Sequence, residues 1–193
     1  MTKSILLVGV GGQGTILASK LLTLGLMEAG YDVKMSEIHG MSQRGGSVSS
    51  QVRYGEKVAS PVIEKGGADI LVSFEKMEAL RWLNYLKPGG KVVVNDFEIK
   101  PMPVLAGKAP YAKDILEQVG SLAETTVIDA AGEAYKLGNP KVMNIILLGT
   151  IVKAMGLENI NWDEIIAQNV KPAFVEINRK ALAVGMHLIT KPE

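Results

Sequence analysis

Two short glycine-rich segments carry the residue types that could bind an anion. The first is GVGGQG, in which Gly9, Gly11 and Gly14 fit the pattern G-x-G-x-x-G and enclose Gly12 and Gln13. Glycines at this spacing permit a tight turn, let a pyrophosphate approach the backbone and let a helix pack closely on a strand. The free N–H groups at the start of that helix can then bind phosphate oxygens. The segment therefore favours a nucleotide or another phosphate-bearing ligand.

The second segment, HGMSQRGGS, places Ser42, Gln43, Arg44, Gly45 and Gly46 in a row. A planar guanidinium next to backbone amides, a hydroxyl and a side-chain amide suits a phosphate or a carboxylate. The alternative is a solvated connection with one surface arginine. The residues alone leave both interpretations open.

Alternating strands and helices must position these segments. Apolar runs that end in glycine or polar residues predict buried strands, and helical spacing predicts the helices between them. The strands are expected at 4–8, 32–35, 70–73, 91–95 and 126–128, and the helices at 15–29, 76–86 and 112–120. This order predicts a three-layer, Rossmann-like doubly wound α/β fold with a mostly parallel sheet. Loops that follow parallel strands leave one end of the sheet, so both glycine segments are expected to face one crevice.

Two segments depart from the simple alternation. Val48, Val52 and Tyr54 are separated by polar residues, which predicts a half-exposed strand, antiparallel and at an edge of the sheet. Residues 96–110 contain three prolines and are expected to form a loop.

The last third of the chain is expected to be helical, within a single domain that spans residues 1–193. Asn139 followed by Pro140 is a typical helix start. Helices are expected at 130–137, 141–155, from 161 or 163, and at 173–184. Asn144 lies among apolar residues and is expected to hydrogen-bond to a loop carbonyl. Glu75 follows a predicted strand, where it either serves the functional end of the sheet or begins the next helix.

Composition excludes several kinds of site. The 193 residues include no cysteine and two histidines, which excludes disulfides, thiolate zinc sites and cysteine-ligated iron–sulfur clusters and disfavours a metal site. A net charge of +1 without a lysine or arginine stripe disfavours nucleic acid as a partner. No apolar run reaches the roughly eighteen residues that span a bilayer. The N-terminal MTKSILLVGVGG is interpreted as the first strand of a cytoplasmic protein.

Other functions are compatible with the first glycine segment alone. Glu37 lies near the end of the second predicted strand, where dinucleotide-binding proteins carry a ribose-binding acid. An independent NAD(P)-binding oxidoreductase is therefore one alternative, although Tyr85 and Lys87 do not have the Tyr-x-x-x-Lys spacing of a proton relay. A regulatory module that binds coenzyme A or a nucleotide is another.

Several longer strings together resemble one known family. They are GVGGQGTILASKLL, SEIHGMSQRGGSVSSQVRYGE, GGADILVSFEKMEALR, LKPGGKVVVN and NPKVMNIILLGTIVKAMG. They resemble the gamma-type subunits of 2-oxoacid:ferredoxin oxidoreductases, in particular the beta subunits of the indolepyruvate enzymes. The resemblance covers almost the whole chain. The combination of GVGGQG with HGMSQRGG is much more specific than either glycine pattern alone.

The resemblance implies an accessory subunit without catalytic residues of its own. In that family the complete enzyme decarboxylates a 2-oxoacid, here an aryl pyruvate, to an acyl-CoA and passes electrons to ferredoxin. The thiamine diphosphate and [4Fe-4S] clusters are implied to lie in a large partner subunit. In related enzymes the corresponding domain contacts coenzyme A, a co-substrate. Gly9, Gly11 to Gly14 and Ser42 to Gly46 are therefore expected either to bind the phosphates of coenzyme A or to shape the crevice that faces the partner subunit. The complex would be a hetero-oligomer, and the isolated chain could form a homo-oligomer.

Overall fold

A computed structural model describes residues 1–38 and 45–189, which contain six strands and eight α-helices. The strands are β1 Lys3–Val10, β2 Asp32–Ile38, β3 Ser47–Gly55, β4 Ala68–Ser73, β5 Leu86–Asn95 and β6 Glu124–Ile128. The helices are α1 Thr15–Glu28, α2 Lys76–Trp82, α3 Met102–Leu105, α4 Ile115–Leu122, α5 Ala130–Lys136, α6 Met143–Met155, α7 Trp162–Asn169 and α8 Val175–His187. No helix within these described residues is long and apolar enough to cross a membrane.

The strands form one sheet in the order β2-β3-β1-β4-β5-β6. Strand β1 pairs in parallel with β4, β4 with β5, and β5 with β6, whereas β3 is antiparallel to both of its neighbours. One hydrophobic core joins the sheet to α1, α6 and α8, and a second joins the opposite face to α2 and α4. The expected three-layer α/β fold with a mostly parallel sheet is confirmed.

The position of β3 corrects one expectation. The strand is antiparallel as expected, but it lies inside the sheet between β2 and β1, so β2 forms the edge. Gln51 is buried and Arg53 half-buried because the segment after β3 covers them and accepts or donates hydrogen bonds. Gln51 Oε1 accepts a hydrogen bond of 2.6 Å from the Ile63 N–H, and Arg53 Nη1 donates to the Ser60 carbonyl at 3.0 Å. The alternation of apolar and polar residues in β3 therefore predicted a solvent-exposed face, but in the structure the segment after β3 covers that face.

Three boundaries also differ from the sequence-based expectations. Helix α2 ends at Trp82, and a 3₁₀ turn, Leu83–Tyr85, replaces its last turn. Strand β5 begins at Leu86 and not after Gly90, because Leu86 pairs with Ala68 before the register becomes irregular. The short helix α3 lies within the segment that was expected to be a loop.

Helices α6 and α8 cross at two glycines. A Cβ atom on Gly149 would lie 2.9 Å from Gly185 Cα, and one on Gly185 would overlap the carbonyl oxygen of Ile146. The two backbones are therefore in direct contact, which leaves no space for a side chain at either position. This crossing attaches α8 to the core of the C-terminal layer.

At the opposite end of the sheet from the glycine segments, Asp69 binds the start of β1. Its Oδ2 accepts from the Ser4 N–H at 2.8 Å, and its Oδ1 contacts Lys87 Nζ and, at 3.4 Å, Lys3 Nζ. Burial acts to raise the pKa of Asp69, but these hydrogen bonds and the lysine charges outweigh it, so the net pKa is lowered. A lowered pKa means that the folded state favours the carboxylate.

We expect Asp69→Asn to lower the free energy of unfolding at pH 7 by about 1 kcal/mol, since hydrogen bonds to the charged group weaken. Asp69 stabilises the folded state fully at a pH above the pKa of the unfolded chain, near 3.8. This stabilisation is lost as the pH falls through the lower pKa of the folded state. Urea unfolding between pH 7 and pH 2.5 should therefore show the two proteins converging in acid. Glu56→Gln, at an exposed residue, is the control. A difference that persists unchanged to the lowest pH would contradict this account.

Candidate functional site

The two glycine segments meet at the carboxyl end of β1. The Gly11 N–H donates to the Gly46 carbonyl at 2.8 Å, and the Gly45 N–H donates to the Gly11 carbonyl at 3.2 Å. Because β3 runs opposite to β1, its first residues lie beside the last residues of β1. The expectation that both segments reach one crevice is therefore confirmed for Gly45 and Gly46. Ser42, Gln43 and Arg44 lie outside the described residues.

Gln13 joins the first loop to the end of β4. Its Oε1 accepts from the Val10 N–H at 2.7 Å, and its Nε2 donates to the Phe74 carbonyl at 2.9 Å. The gap between β1 and β4 is the switch point at which doubly wound sheets usually bind ligands. Here the amide of Gln13 bridges that gap, so both its oxygen and its nitrogen are already hydrogen-bonded to the backbone.

Each glycine of the first loop is required by a different local constraint. A Cβ on Gly9 would lie 2.9 Å from both Gln13 Oε1 and Phe74 Cβ, so this glycine permits the loop to close on the strand. Gly12 has a φ of 102° and faces open space. Gly14 has a φ of 83°, and its carbonyl accepts from Asn144 Nδ2 at 3.2 Å. The expected hydrogen bond from Asn144 to a loop carbonyl is thus confirmed.

A pocket of about 330 Å³ opens beside this loop, over the start of β3. We call it the loop pocket; its lining residues are Gly11, Gly12, Gly14, Thr15, Ile16, Val48, Ser49 and Ser50. Helix α1 begins here with Gly14, which offers no side-chain cap, and its first turn contains no acidic residue. The first N–H groups of α1 are therefore unoccupied by a side chain and favour an anion.

Ser50 adds a second polar group to the loop pocket. Its relative exposure is 2%, and it lies on the same face of β3 as Val52 and Tyr54, which pack in the core beneath α1. Within the described part of the chain, neither its hydroxyl nor that of Thr15 has a hydrogen-bond partner. Because Thr15 and Ser50 line the loop pocket, both hydroxyls are available to a ligand that enters it.

Glu37, the acid considered for ribose binding, does not lie where a dinucleotide-binding fold places its ribose-binding acid. Glu37 Oε1 accepts from Ser19 Oγ on α1 at 2.8 Å. Strand β3 lies between β1 and β2, so Glu37 is two strand spacings, about 10 Å, from β1. In a dinucleotide fold the acid is on the strand next to β1. The inserted strand therefore separates Glu37 from the glycine loop.

A partly buried hydrogen-bond network anchors the second glycine segment at Ser47. Ser47 Oγ donates to Glu78 Oε2, and Trp82 Nε1 lies 3.3 Å from both of these oxygens. Arg81 Nε completes the network at 3.0 Å from Glu78 Oε1. The residue that follows Gly46 is thus fixed to α2. These partners come from an element some thirty residues further along the chain, and no local sequence signal marks them.

Glu75 is the N-cap of α2, as one of its two sequence-based interpretations proposed. Its Oε2 accepts from the Glu78 N–H at 3.0 Å, while its Oε1 accepts from Tyr111 Oη at 2.7 Å and from the Ile99 N–H at 3.2 Å. Burial and then the hydrogen bond to Glu75 raise the pKa of Tyr111 far above its usual range. Tyr111 therefore remains a hydrogen-bond donor at neutral pH and holds the segment after β5 against α2.

Within residues 1–38 and 45–189, no group of three or more His, Asp or Glu side chains is placed so that it could hold a metal ion. Beside the first glycine loop, the structure brings together backbone N–H groups, hydroxyls and the bridging amide of Gln13. Groups of this kind suit an anionic ligand.

Comparison with known proteins identifies this architecture. Residues 4–188 match the family described as pyruvate ferredoxin/flavodoxin oxidoreductase. The indolepyruvate oxidoreductase subunit IorB of Pyrococcus horikoshii is 39% identical over 191 residues, which cover 95% of this chain and 94% of the relative. The gamma subunit of a keto/oxoacid ferredoxin oxidoreductase from Geobacter sulfurreducens is 25% identical, with a TM-score of 0.71 and coverage of 96% and 97%.

A third comparison concerns the fold alone. The 2-oxoglutarate:ferredoxin oxidoreductase of Magnetococcus marinus, solved with 2-oxoglutarate, coenzyme A and succinyl-CoA bound, is 18% identical with a TM-score of 0.73. It aligns with all of this chain but with 32% of its own longer chain. The same fold is thus one part of a larger polypeptide there. Together, the family match and the relatives confirm the sequence-based resemblance, and the chain belongs to the pyruvate ferredoxin/flavodoxin oxidoreductase family.

Proposed function

We propose that this chain is the accessory subunit of a cytoplasmic aryl-pyruvate:ferredoxin oxidoreductase, with indolepyruvate as a substrate, and that its glycine segments bind the phosphates of coenzyme A. The observation that carries the proposal is the hydrogen-bonded junction of Gly11 with Gly45 and Gly46 beside the loop pocket. This junction brings the two anion-binding patterns of the sequence to one place.

The loop pocket supplies the groups that a phosphate needs. The uncapped start of α1 offers N–H groups, and the hydroxyls of Thr15 and Ser50 are free to donate. Arg44 is covalently adjacent to Gly45 and would add the charge of its guanidinium. Coenzyme A in the Magnetococcus enzyme supports this choice of ligand. In this proposal Gly11, Gly12 and Gly14 line the phosphate site, Gly45 and Gly46 lie beside it, and Ser42, Gln43 and Arg44 would supply further donors.

Gln13 and Gly9 contribute indirectly in this proposal. The amide of Gln13 bridges Val10 and Phe74, so it fixes the loop on which the phosphate would rest. Gly9 leaves the space into which that amide folds. Both residues would position the binding groups without touching the ligand.

The redox chemistry is assigned to a partner subunit. The chain has no cysteine, so it cannot hold an iron–sulfur cluster through thiolates. Thiamine diphosphate and the clusters would lie in a large subunit that passes electrons to ferredoxin. When that subunit is present, its cofactors supply the decarboxylation and electron transfer, and this chain's residues hold the co-substrate near them.

The test is reconstitution. We expect co-expression with a large subunit that carries thiamine and ferredoxin-type cysteine motifs to give a complex that reduces a viologen dye with indolepyruvate and coenzyme A. In that complex, Arg44→Ala should raise the KM for coenzyme A about tenfold and leave kcat within about twofold, since a lost phosphate contact weakens ground-state binding.

Two controls separate the alternatives. Arg179→Ala changes an arginine on α8 that pairs with Glu176 and should leave the KM unchanged. If Arg44→Ala impairs only assembly and the assembled fraction keeps its KM, the segment is an interface and the coenzyme A proposal is wrong. Tight binding of NADH to the isolated chain would instead favour an NAD(P)-binding enzyme.

A further inference from the structure

A side-chain anchor holds the second glycine segment next to the loop pocket. Gly45 and Gly46 have no side chains, so Ser47 is the nearest residue that can fix this part of the segment through a side chain. On one side, two backbone hydrogen bonds join the segment to Gly11. On the other side, Ser47 Oγ donates to Glu78 Oε2 on α2. The segment is therefore held between the first loop and α2.

Glu78 is suited to this anchoring because hydrogen-bond donors surround its carboxylate. The residue is 4% exposed. Besides Ser47 Oγ, Trp82 Nε1 lies 3.3 Å from Oε2, and Arg81 Nε donates to Oε1 at 3.0 Å. Hydrogen bonds to an ionised group are shorter and stronger than those between neutral groups. The carboxylate therefore holds Ser47 more firmly than a neutral side chain would.

The backbone that carries this carboxylate is fixed as well. Glu78 lies in the first turn of α2, and its N–H donates to Oε2 of the N-cap residue Glu75 at 3.0 Å. Glu75 is 1% exposed and accepts a further hydrogen bond from Tyr111 Oη at 2.7 Å. Glu78 is not among the described residues that line the loop pocket. It can therefore act on a ligand in that pocket only through the segment that it holds.

From this geometry we propose that Glu78 is a positioning residue. Its carboxylate fixes the placement of Gly45 and Gly46 against Gly11, and thereby the affinity of the loop pocket for an anionic ligand. The negative charge of Glu78 would by itself oppose an anion, but the ion pair with Arg81 offsets this charge. The part of the inference that concerns coenzyme A rests on the proposed function, whereas the placement of the segment can be measured without a ligand.

Amide hydrogen exchange of the isolated full-length chain, followed by NMR, tests the anchor. Gly11 and Gly45 each donate a backbone N–H across the junction, so their exchange rates report whether the segment stays in place. We expect Glu78→Gln and Ser47→Ala each to speed exchange at these two amides about tenfold, since a hydrogen bond to a charged group is weakened or lost. Glu117→Gln is the control, at an exposed acid in the first turn of α4, and should change these rates by less than about twofold.

Two further variants distinguish this anchor from a general loss of stability. Ser47→Thr keeps the hydroxyl and should restore exchange to within about twofold of the parent protein. The double variant Ser47→Ala/Glu78→Gln should exchange no faster than the faster single variant, because both substitutions act on the same hydrogen bond. If Glu78→Gln does not fold, the two Ser47 variants give the same test.

The reconstituted complex tests the consequence for ligand binding. Glu78→Gln should raise the KM for coenzyme A about threefold and leave kcat per assembled complex within about twofold, because a misplaced segment weakens ground-state binding. Ser47→Thr should keep the parent KM. A residue that only stabilised α2 would instead lower the yield of complex and leave the KM of the assembled fraction unchanged.

The proposal is overturned if Glu78→Gln and Ser47→Ala leave exchange at Gly11 and Gly45 unchanged, or if their effects add in the double variant. It is also overturned if exchange accelerates but the KM of Glu78→Gln stays at the parent value in a complex in which Arg44→Ala raises it. If Arg44→Ala leaves the KM unchanged too, the coenzyme A proposal is wrong, whereas accelerated exchange still supports the anchoring of the segment by Glu78.

Discussion

Gly185→Ala is expected to lower the free energy of unfolding by about 3 kcal/mol, because one added methyl group has no space at the α6–α8 crossing. The new Cβ would overlap the Ile146 carbonyl oxygen and approach Gly149 Cα at 3.0 Å. Both neighbours are backbone atoms of α6, so no side chain can rotate away. The helices must separate, and the core between them loosens.

Thermal unfolding followed by circular dichroism checks this, with an expected drop in Tm of roughly 6 to 12 °C for a chain of this size. Gly120→Ala is the matched control. Gly120 lies inside α4, and an added Cβ would meet no atom within 4 Å. There the same substitution should stabilise the protein by about 0.5 kcal/mol through its helix preference. Equal effects at the two positions would contradict the crossing as the cause.

The second large effect concerns Gln13. Gln13→Glu keeps an acceptor for the Val10 N–H but replaces the donor that faces the Phe74 carbonyl with an oxygen. That carbonyl also accepts from Asn95 Nδ2 at 3.2 Å, so both of its neighbours are amide donors in the parent protein. A carboxylate at this place should lower the free energy of unfolding at pH 7 by about 2 kcal/mol, since a charged acceptor would face another acceptor.

The pH dependence of Gln13→Glu gives a sharper result. Protonation restores a donor toward Phe74, so the folded state should raise the pKa of the introduced carboxyl above its unfolded value, near 4.3. The defect should therefore be smallest below about pH 4 and grow as pH rises through the folded pKa. Urea unfolding across pH 4 to 8 measures it. Gln118→Glu is the control, because Gln118 is exposed and also donates to a backbone carbonyl, that of Lys113, at 2.9 Å. If the loss of stability in Gln13→Glu does not change with pH, the side chain of residue 13 does not bridge Val10 and Phe74.

Much of the fold could be predicted because its signals are local. Strands β1, β4 and β5 contain apolar runs, and the start of α6 follows the Asn139–Pro140 pair. The interior position of β3 could not be predicted, since Gln51 and Arg53 resemble solvent-facing residues until the loop that binds them is known.

In the candidate site, too, some features could be predicted from the sequence and others could not. The meeting of Gly11 with Gly45 and Gly46 follows from strand direction, which the alternation of elements predicts. The bridging role of Gln13 does not, because it depends on where the Phe74 carbonyl lies in three dimensions. Ser50 is one serine among several, and only its register opposite Leu7 places it beneath α1.

The pairing of β3 with β2 has a consequence for how much the two connections at this end of the sheet can vary in length. The residues between β2 and β3 join two strands that are already paired from Asp32 with Gly55 to Ile38 with Ser49. A hairpin closed in this way tolerates insertions, as each doubling of loop length costs only about 0.6 kcal/mol of closure entropy. The loop between β1 and α1 lacks this freedom, because Gly9 and Gly14 are pressed against fixed neighbours. The connection between β2 and β3 can therefore change in length without disturbing the pairing of these strands, whereas the loop between β1 and α1 cannot.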